Sequence, residues 1–293
     1  MITRHTAAAL ALAVMAGCTR TDGGSGVPAP PPAPQVLFED EFAGAAPDRS
    51  RWTVEVWGGS VNNEQQAYVD SASTLYVARG AQAEGAGDGA ALVIHPRWRP
   101  GFVTGEGNRF DFISGRLITR DHFQFTHGTA SARIRLPAGA GLWPAFWLLG
   151  AGDWPATGEI DVMENVGDAG WTSQALHGPG YSGDTPLAKR SPFPAGQDAT
   201  GWHVYTVIWG TASIVFLVDG QVVYSVNRAE VERYGRWAFD NPKFLILNFA
   251  LGGGYPAAVN GVKEPYFGLS EPAVRMVKAD EARMLVDWVR VTR

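Results

Sequence analysis

The chain has 293 residues, of which 45% are hydrophobic and 18% are charged, and its formal net charge is −5 at pH 7. A chain of this length can bury one sizeable core. The negative charge argues against a nucleic-acid partner, because nucleic-acid binding relies on a basic stripe of residues. We expect no nucleic acid among its partners, and we expect a monomer.

The first 18 residues, MITRHTAAALALAVMAGC, have the layout of an export signal. Arg4 and His5 precede a short apolar run, which cannot span a bilayer as a helix. The Met-Ala-Gly-Cys ending resembles a bacterial lipobox, in which Cys18 becomes the lipidated first residue. We therefore predict a signal peptide over residues 1–17 and export to the bacterial cell envelope, with Cys18 as a lipid anchor in the membrane. The alternative is an ordinary cleaved signal and a secreted or periplasmic protein.

A linker is predicted to follow the lipobox over residues 18–35. Glycine and serine make its first half flexible, and proline stiffens the second half. Because Cys18 is the single cysteine, no internal disulfide can form. No second linker or repeat follows, so residues 36–293 are predicted to form one domain.

Alternation of apolar and polar residues with period two recurs in this domain, as expected of half-buried strands. Asp219-Gly220 separates two such segments and predicts a hairpin with a two-residue turn. Segment FLILNFAL is nearly continuous apolar sequence and predicts a strand covered on both faces. The predicted strands include residues 130–136, 213–218, 221–226, 244–251 and 284–291. With one short helix candidate at residues 228–234, these strands predict an all-β sandwich or jelly roll.

Three acids cluster in the segment GEIDVMEN. Side chains on a strand alternate between its faces, so Glu159 and Asp161 share one face while strict alternation places Glu164 on the other. A β-bulge at Val162-Met163 adds one unpaired residue and brings all three acids to the same face. One of the two bulge residues is then expected to face the core.

Like charges held this close raise the pKa of at least one carboxyl. Glycoside hydrolysis uses such a pair, with one ionised carboxylate and one protonated carboxyl flanking the scissile bond. In retaining enzymes the two groups lie about 5–5.5 Å apart. Long glutamate side chains on a concave sheet would have to bring the two carboxyl groups this close. The alternative is a solvent-facing strand with three acids that have no catalytic role.

Other segments accompany the acid motif: FEDEF, WGGSVNNE, SGRLIT, GLWPAFWLLG, LHGPGY, ILNFALGGGYP and VDWVRV. Together with GEIDVMENVG they resemble glycoside hydrolase family 16, and within it the laminarinase-like endo-1,3-β-glucanases. The resemblance runs from about residue 38 to residue 291. It implies that residues 36–293 are a catalytic domain with a β-jelly-roll sandwich of two antiparallel sheets and a concave substrate cleft.

The resemblance also assigns roles to residues. Glu159 matches the family nucleophile, Glu164 matches the acid/base, and Asp161 matches the acid that steers the charge of its neighbours. The chain has 11 Trp, more than a core usually needs, and an exposed Trp suits the flat apolar face of a sugar. The residues that match sugar-binding positions are Asn62, Trp143, Trp147, Trp154 and His177. Core packing or a structural hydrogen bond is the alternative for each of these five.

Two segments depart from the family pattern. Tyr255 stands where laminarinases usually carry tryptophan. Residues 95–112 look longer and more basic than usual, and they contain Arg97, Arg99 and Arg109. Both departures bear on substrate choice at the ends of the cleft. The extra bulge residue is shared with the agarases and carrageenases of the family, whereas its lichenases lack it.

No cofactor is expected to be required for catalysis, since the six histidines show no paired spacing typical of metal ligands. Several family members carry a structural calcium on the convex face, held by an Asp of the last strand and by backbone oxygens near the N-terminus. Asp287 matches that Asp, and Gly89 and Glu41 are the candidate backbone contributors. Calcium prefers hard oxygen ligands of this kind. Such a calcium stabilises the fold and takes no part in catalysis.

The predicted function is hydrolysis of internal 1,3-β-glucan bonds by a retaining endo-glycosidase, with a β-glucan polysaccharide as the partner. Within the family, the alternatives are an agarase, a carrageenase or a transglycosylase, and a basic cleft would favour a sulfated substrate. Outside enzymes, the alternative is a non-catalytic β-glucan-binding protein, although such relatives lack the catalytic glutamates. A structural lipoprotein is a further option, for which the acid cluster has no purpose.

Overall fold

The structure is a computed structural model, and it describes residues 33–59 and 61–293. Within it, Pro34–Arg293 form one compact unit. The predicted signal peptide, Cys18 and most of the predicted linker lie outside the described residues. In the part of the chain that is described, no helix combines the length and the apolar character needed to cross a membrane.

Strands dominate the described residues, with three short α-helices and one 3-10 helix between them. The strands are β1 (Val36–Asp40), β2 (Thr53–Val54), β3 (Gln66–Tyr68), β4 (Leu75–Arg79), β5 (Ala90–Ile94), β6 (Arg97–Val103), β7 (Arg109–Ser114), β8 (Arg116–Ile118), β9 (Gly128–Arg135), β10 (Leu142–Gly150), β11 (Glu159–Glu164), β12 (Trp171–His177), β13 (Leu187–Pro192), β14 (Trp202–Trp209), β15 (Ser213–Val218), β16 (Gln221–Asn227), β17 (Lys243–Leu251) and β18 (Met284–Thr292). The helices are α1 (Arg228–Val231), α2 (Gly254–Asn260) and α3 (Glu271–Lys278), and the 3-10 helix is Gly80–Ala83.

Two large antiparallel sheets stack to form a β-jelly-roll sandwich, which confirms the predicted fold class. The outer sheet has eight strands in the order β16-β15-β14-β9-β18-β5-β4, with β1 also paired to β18. The second sheet, which we call the cleft sheet, has seven strands in the order β13-β12-β11-β10-β17-β8-β2. A third sheet, β3-β7-β6, was not predicted, and its β3 and β7 run parallel.

The local patterns explain most of these strands. β9 buries alternate residues, as its sequence predicts. In the β15–β16 turn, Asp219 and Gly220 have φ values of 50° and 77°, the positive values that a two-residue hairpin turn requires. β17 is buried along its whole length. Helices α2 and α3 were missed, although Ser270 caps α3 by accepting a hydrogen bond from the amide of Ala273.

The main core lies between the two large sheets. Its largest fully buried side chains include Trp52, Trp209 and Phe146. Both bulge residues of β11, Val162 and Met163, belong to this core, so the prediction that only one of them faces it was wrong. The inserted residue distorts the local alternation of β11, which allows consecutive side chains to pack inward.

A smaller apolar cluster covers the opposite face of β17. It contains Phe244, Ile246 and Ile118, with Trp147 and Leu149 packed against it. β17 is therefore buried on both faces even though it belongs to the cleft sheet. The motif acids lie beyond this cluster, on β11.

Candidate active site

The three acids of the sequence motif lie on β11, in the middle of the cleft sheet. Asp161 pairs with Ala175 on β12, and Glu164 pairs with Ser173, so two residues of β11 intervene where β12 has one. The register with β10 shifts at the same place. The predicted bulge at Val162-Met163 is therefore present, and it brings Glu159, Asp161 and Glu164 to one face.

Tryptophan indoles hold the two glutamates. Trp154 Nε1 donates a hydrogen bond to Glu159 Oε2 at 2.8 Å, and Trp143 Nε1 donates to Glu164 Oε1 at 2.9 Å. His177 Nε2 lies 3.4 Å from Asp161 Oδ2 and 3.9 Å from Glu159 Oε1. The structure thus brings three of the predicted sugar-binding residues into direct contact with the acids. Trp154 is 49% exposed, so one edge of this site is open to ligand.

Trp147 lies beside Asp161 in the β10–β11 register and extends the site towards β8. Its Nε1 donates to Asn248 Oδ1 at 2.7 Å, and Asn248 Nδ2 donates to the Tyr68 hydroxyl at 2.9 Å. The Arg116 guanidinium stacks over the Trp147 ring, 5.0 Å from its centroid. Trp147 is therefore a half-buried aromatic at a polar wall of the cleft.

Asn62 lies farther from the three acids, and its hydrogen bonds are with other residues. Its carbonyl accepts a hydrogen bond from the Gly254 amide at 2.7 Å, and its side chain donates to Glu64 Oε1 at 3.3 Å. A side chain added at Gly253 would meet both the Asn62 carbonyl, at 2.8 Å, and the Trp143 ring, at 3.4 Å. Asn62 is thus tied to the rim that carries Trp143, and an exposed amide there is available to a ligand.

Burial raises the pKa of every acid in the cluster. Desolvation, assisted by the charge of Asp161, raises the pKa of Glu159 to about 8. Desolvation also raises the pKa of Glu164 to about 7, with the charge of Glu159 acting in the same direction. The pKa of Asp161 is raised well above its usual value by burial and by the charge of Glu164. The cluster therefore retains protons at neutral pH, which supplies an acid next to a carboxylate.

The sequence profile described as Glycosyl hydrolases family 16 matches residues 56–267. The chain belongs to glycoside hydrolase family 16. This confirms the resemblance inferred from the motifs, and it makes the protein a glycoside hydrolase.

Individual relatives support a laminarinase-like member of the family. The chain is 32% identical to "Glucan endo-1,3-beta-glucosidase A1" of Niallia circulans over 75% of its own length, and it spans 34% of that relative. It is 29% identical to "Beta-glucanase" of Rhodothermus marinus, over 97% of the chain and 93% of the relative. Among solved structures, the laminarinase from Rhodothermus marinus matches with a TM-score of 0.71 and 28% identity, covering 90% of this chain and 99% of that one. The endo-β-1,3-glucanase from Pyrococcus furiosus matches with a TM-score of 0.74 and 30% identity, covering 88% and 94%.

The departure from the family pattern at Tyr255 lies on the Glu164 side of the site. The Tyr255 ring packs edge-on against Trp143, with centroids 5.7 Å apart. Its hydroxyl donates to Ser173 Oγ at 3.1 Å, and Ser173 is the strand partner of Glu164. Tyr255 therefore packs next to Glu164 from helix α2.

Among the described residues, one group of acids and histidines is close enough to hold a metal ion. It consists of Glu159, Asp161 and His177, whose ligand atoms lie within 4.8 Å of one another. These residues are the carboxylate cluster of β11 with its histidine neighbour on β12, so the group belongs to the candidate active site itself.

The predicted calcium ligands have other partners. Asp287 accepts from the Gly87 amide at 3.0 Å and forms an ion pair with Arg133. The Glu41 side chain pairs with Arg290 at 3.1 Å. The Gly89 carbonyl accepts from the Gly80 amide at 3.1 Å. The calcium at Asp287, Gly89 and Glu41 stays a prediction.

Sequence reasoning missed Lys243, a fully buried lysine at the start of β17. Its Nζ donates to carbonyl oxygens of the loop that precedes Glu159. The sequence does place a lysine directly before the apolar run FLILNFAL. A charged residue in such a strand is rarely buried without a polar partner, so this position could have indicated a buried polar contact.

Proposed function

We propose that this protein is a retaining endo-glycosidase that hydrolyses internal bonds of 1,3-β-glucan. The observation that carries the proposal is the bulged strand β11, which presents Glu159, Asp161 and Glu164 on one face with an indole donor on each glutamate. The relatives named for endo-1,3-β-glucanase activity support the same substrate class. We also propose that it acts as a monomer.

In the first step, Glu159 attacks the anomeric carbon while Glu164 donates its proton to the leaving oxygen. The result is a covalent glycosyl-enzyme intermediate. The Trp154 indole fixes one carboxylate oxygen of Glu159 and leaves the other for attack. Burial raises the pKa of Glu164 to about 7 and the pKa of Glu159 to about 8, so the cluster holds protons in the empty site. Attack uses the state in which Glu159 is ionised and the proton lies on Glu164.

In the second step, Glu164 accepts a proton from water, and the water attacks the intermediate. Two successive inversions give net retention. Asp161 lies between the two glutamates along β11. Its protonation therefore changes as each glutamate gains or loses a proton. His177 contacts Asp161 and Glu159, which suits it to stabilise the charge that moves between them.

The aromatic residues are proposed to hold the polysaccharide. Trp143, Trp147 and Trp154 lie next to the acids, and the Nε1 proton of each is already engaged. Such rings suit the apolar faces of pyranose sugars. Asn62 and His177 supply polar groups for hydroxyls. No cofactor is needed in this mechanism.

Substrate preference tests the proposal. We expect laminarin to be cut faster than barley mixed-linked glucan, and cellulose hardly at all. The products should form a ladder of oligosaccharides, because an open cleft cuts within the chain. Reducing-sugar release and chromatography of the products measure both effects. Faster cutting of agar, release of glucose alone, or formation of longer chains would assign another family activity.

A sulfated substrate is disfavoured at Arg97, one of the three arginines named in the basic segment. Arg97 pairs with Asp280 at 2.5 Å, and its Nε donates to the Ser73 carbonyl at 2.8 Å. This arginine is therefore already neutralised in the small third sheet. A purely glucan-binding role is also disfavoured, because both catalytic glutamates are present and held in the cleft.

The exported location is proposed from the sequence alone, through lipidation at Cys18. We expect the protein in the membrane fraction of a bacterial host, and we expect Cys18→Ser to move it to the soluble fraction. A single acyl chain binds membranes only marginally, so stable anchoring needs more than one chain. Fractionation followed by immunoblotting measures the distribution. A wild-type protein that is fully soluble after export would contradict the anchor.

A further inference from the structure

Lys243 places its side-chain amino group inside the protein. The residue has no exposed surface, and its Nζ lies within hydrogen-bonding distance of four oxygens. These are the carbonyls of Thr157 at 2.5 Å, Gly158 at 3.2 Å and Ala238 at 3.3 Å, and the side-chain oxygen of Asn241 at 3.3 Å. Three of the four are peptide carbonyls, so the ammonium ties backbone segments together.

Among the described residues, no acidic side chain forms a salt bridge with Lys243. The rings of Phe239 and Trp209 lie 5.4 Å and 5.6 Å from the Nζ, close enough for cation–π attraction. Burial of a charge is costly unless it is well compensated, and an apolar residue would fill the same space without that cost. A buried lysine at this position therefore indicates a specific role.

The segment that Lys243 holds leads directly to the proposed nucleophile. Gly158 is the residue before Glu159, and its carbonyl is one of the four oxygens. Gly158 has a φ of 72°, and a Cβ there would meet the Ala238 carbonyl at 2.4 Å, so the loop fits tightly against residues 238–241. The same loop carries Trp154, whose indole donates to Glu159 Oε2.

We propose that Lys243 is a positioning residue for the nucleophile, which holds the loop of residues 153–158 and favours the ionised carboxylate of Glu159. The inference rests on the proposed role of Glu159. Lys243 touches no substrate in this scheme. It acts through the Gly158 carbonyl and the Trp154 indole, which aim the carboxylate, and through its charge, which stabilises that carboxylate.

The electrostatics are consistent with this geometry. The titratable groups that face Lys243 are Glu159 on β11 and Asp240 in the adjoining loop. Burial lowers the pKa of Lys243 to about 7, and the charges of Glu159 and Asp240 act in the opposite direction. Because a charge interaction is mutual, the ammonium favours ionised Glu159 as much as ionised Glu159 favours the ammonium.

The test compares Lys243→Met, Lys243→Gln and Lys243→Arg with wild type on laminarin. We expect Lys243→Met to lower kcat by roughly 10- to 100-fold with little change in KM, because misplacing a reacting group costs rate more than binding. Loss of the positive charge should raise the pKa of Glu159. The acid limb of the kcat/KM profile should therefore move to higher pH, by on the order of one unit.

The other variants separate charge from hydrogen bonding. Lys243→Gln keeps a donor but no charge, so the acid limb should move as in Lys243→Met while kcat falls less. Lys243→Arg keeps the charge and should hold the acid limb near its wild-type position. Lys263→Met is the matched control, since Lys263 is an exposed lysine outside the site. If Lys243→Met does not fold, the glutamine variant carries the same comparison.

Wild-type kcat with an unmoved acid limb in a folded Lys243→Met or Lys243→Gln protein would overturn the inference. A uniform loss of activity at every pH would also overturn it, because that result would show that Lys243 has only a structural role. Glu159→Ala is measured in parallel. If that variant keeps wild-type activity, the proposed function itself fails, whatever the lysine variants show.

Discussion

Replacing either Glu159 or Glu164 with alanine is expected to lower kcat on laminarin by about 10³-fold or more, since each performs a bond-making or proton-transfer step. Folding should survive, because both residues lie on the cleft face and not in the core. Circular dichroism checks the fold, and reducing-sugar release measures kcat. Glu281→Ala, at an exposed glutamate far along the sequence, is the control and should retain wild-type activity.

The two losses should differ in kind. With an activated aryl glycoside and azide, Glu164→Ala should regain activity and yield a β-glycosyl azide, because azide attacks the intermediate from the face that water uses. Glu159→Ala with azide should yield the α-glycosyl azide, because azide then takes the place of the missing nucleophile. NMR of the products distinguishes the two configurations.

The wild-type enzyme gives an independent check on the same mechanism. The first-formed sugar should be the β-anomer, observed by NMR before mutarotation. An α-anomer formed first would mean a single inversion and would remove Glu159 from the nucleophile role. Equal azide products from both alanine variants would also contradict the assignment.

Glu159→Gln is expected to stabilise the protein at pH 8 and to change its stability little at pH 5. The pKa of Glu159 is raised to about 8 in the folded state by burial and by Asp161. A group with a raised folded-state pKa contributes stability below its unfolded pKa, which is 4.5, and that contribution is lost as the pH rises towards 8. Glutamine cannot ionise, so the variant avoids this loss.

The difference at pH 8 should be on the order of 2–4 kcal/mol, because each unit of pKa shift corresponds to about 1.4 kcal/mol and the neighbouring acids take up part of the change. Urea unfolding at pH 5 and pH 8 measures it. Glu281→Gln, at an exposed carboxylate, should show no such pH-dependent difference. A stability difference between variant and wild type that is the same at both pH values would show that Glu159 is not destabilised by burial. The active site would then lack the electrostatic cost that catalysis is proposed to require.

The amino-acid sequence was sufficient for several strands, among them β9 and β17, for the hairpin and for the shared face of the acids. Alternation in β9 and the Asp219-Gly220 turn follow from backbone geometry over a few residues, which a sequence records directly. Side chains alternate between the faces of a strand, so the spacing of Glu159, Asp161 and Glu164 required a bulge to bring all three to one face. The family also followed from local motifs, and the sequence profile confirmed it.

Other features needed the tertiary structure. Helices α2 and α3 are short and lie where turn-rich sequence masks their pattern. The third sheet pairs β3 with β7 in parallel, which local alternation cannot reveal. The prediction for the core at the bulge was wrong because the direction of Val162 and Met163 depends on how far β11 bends.

The partners of the polar side chains were decided only by the folded chain. Trp143 reaches Glu164 across 21 residues, and Lys243 reaches the carbonyl of Thr157 across 86. Periodicity gives the face on which a side chain lies, but it carries no information on which distant loop meets that face. A buried donor must find an acceptor, and close packing of the two sheets and their loops determines which acceptor is within reach.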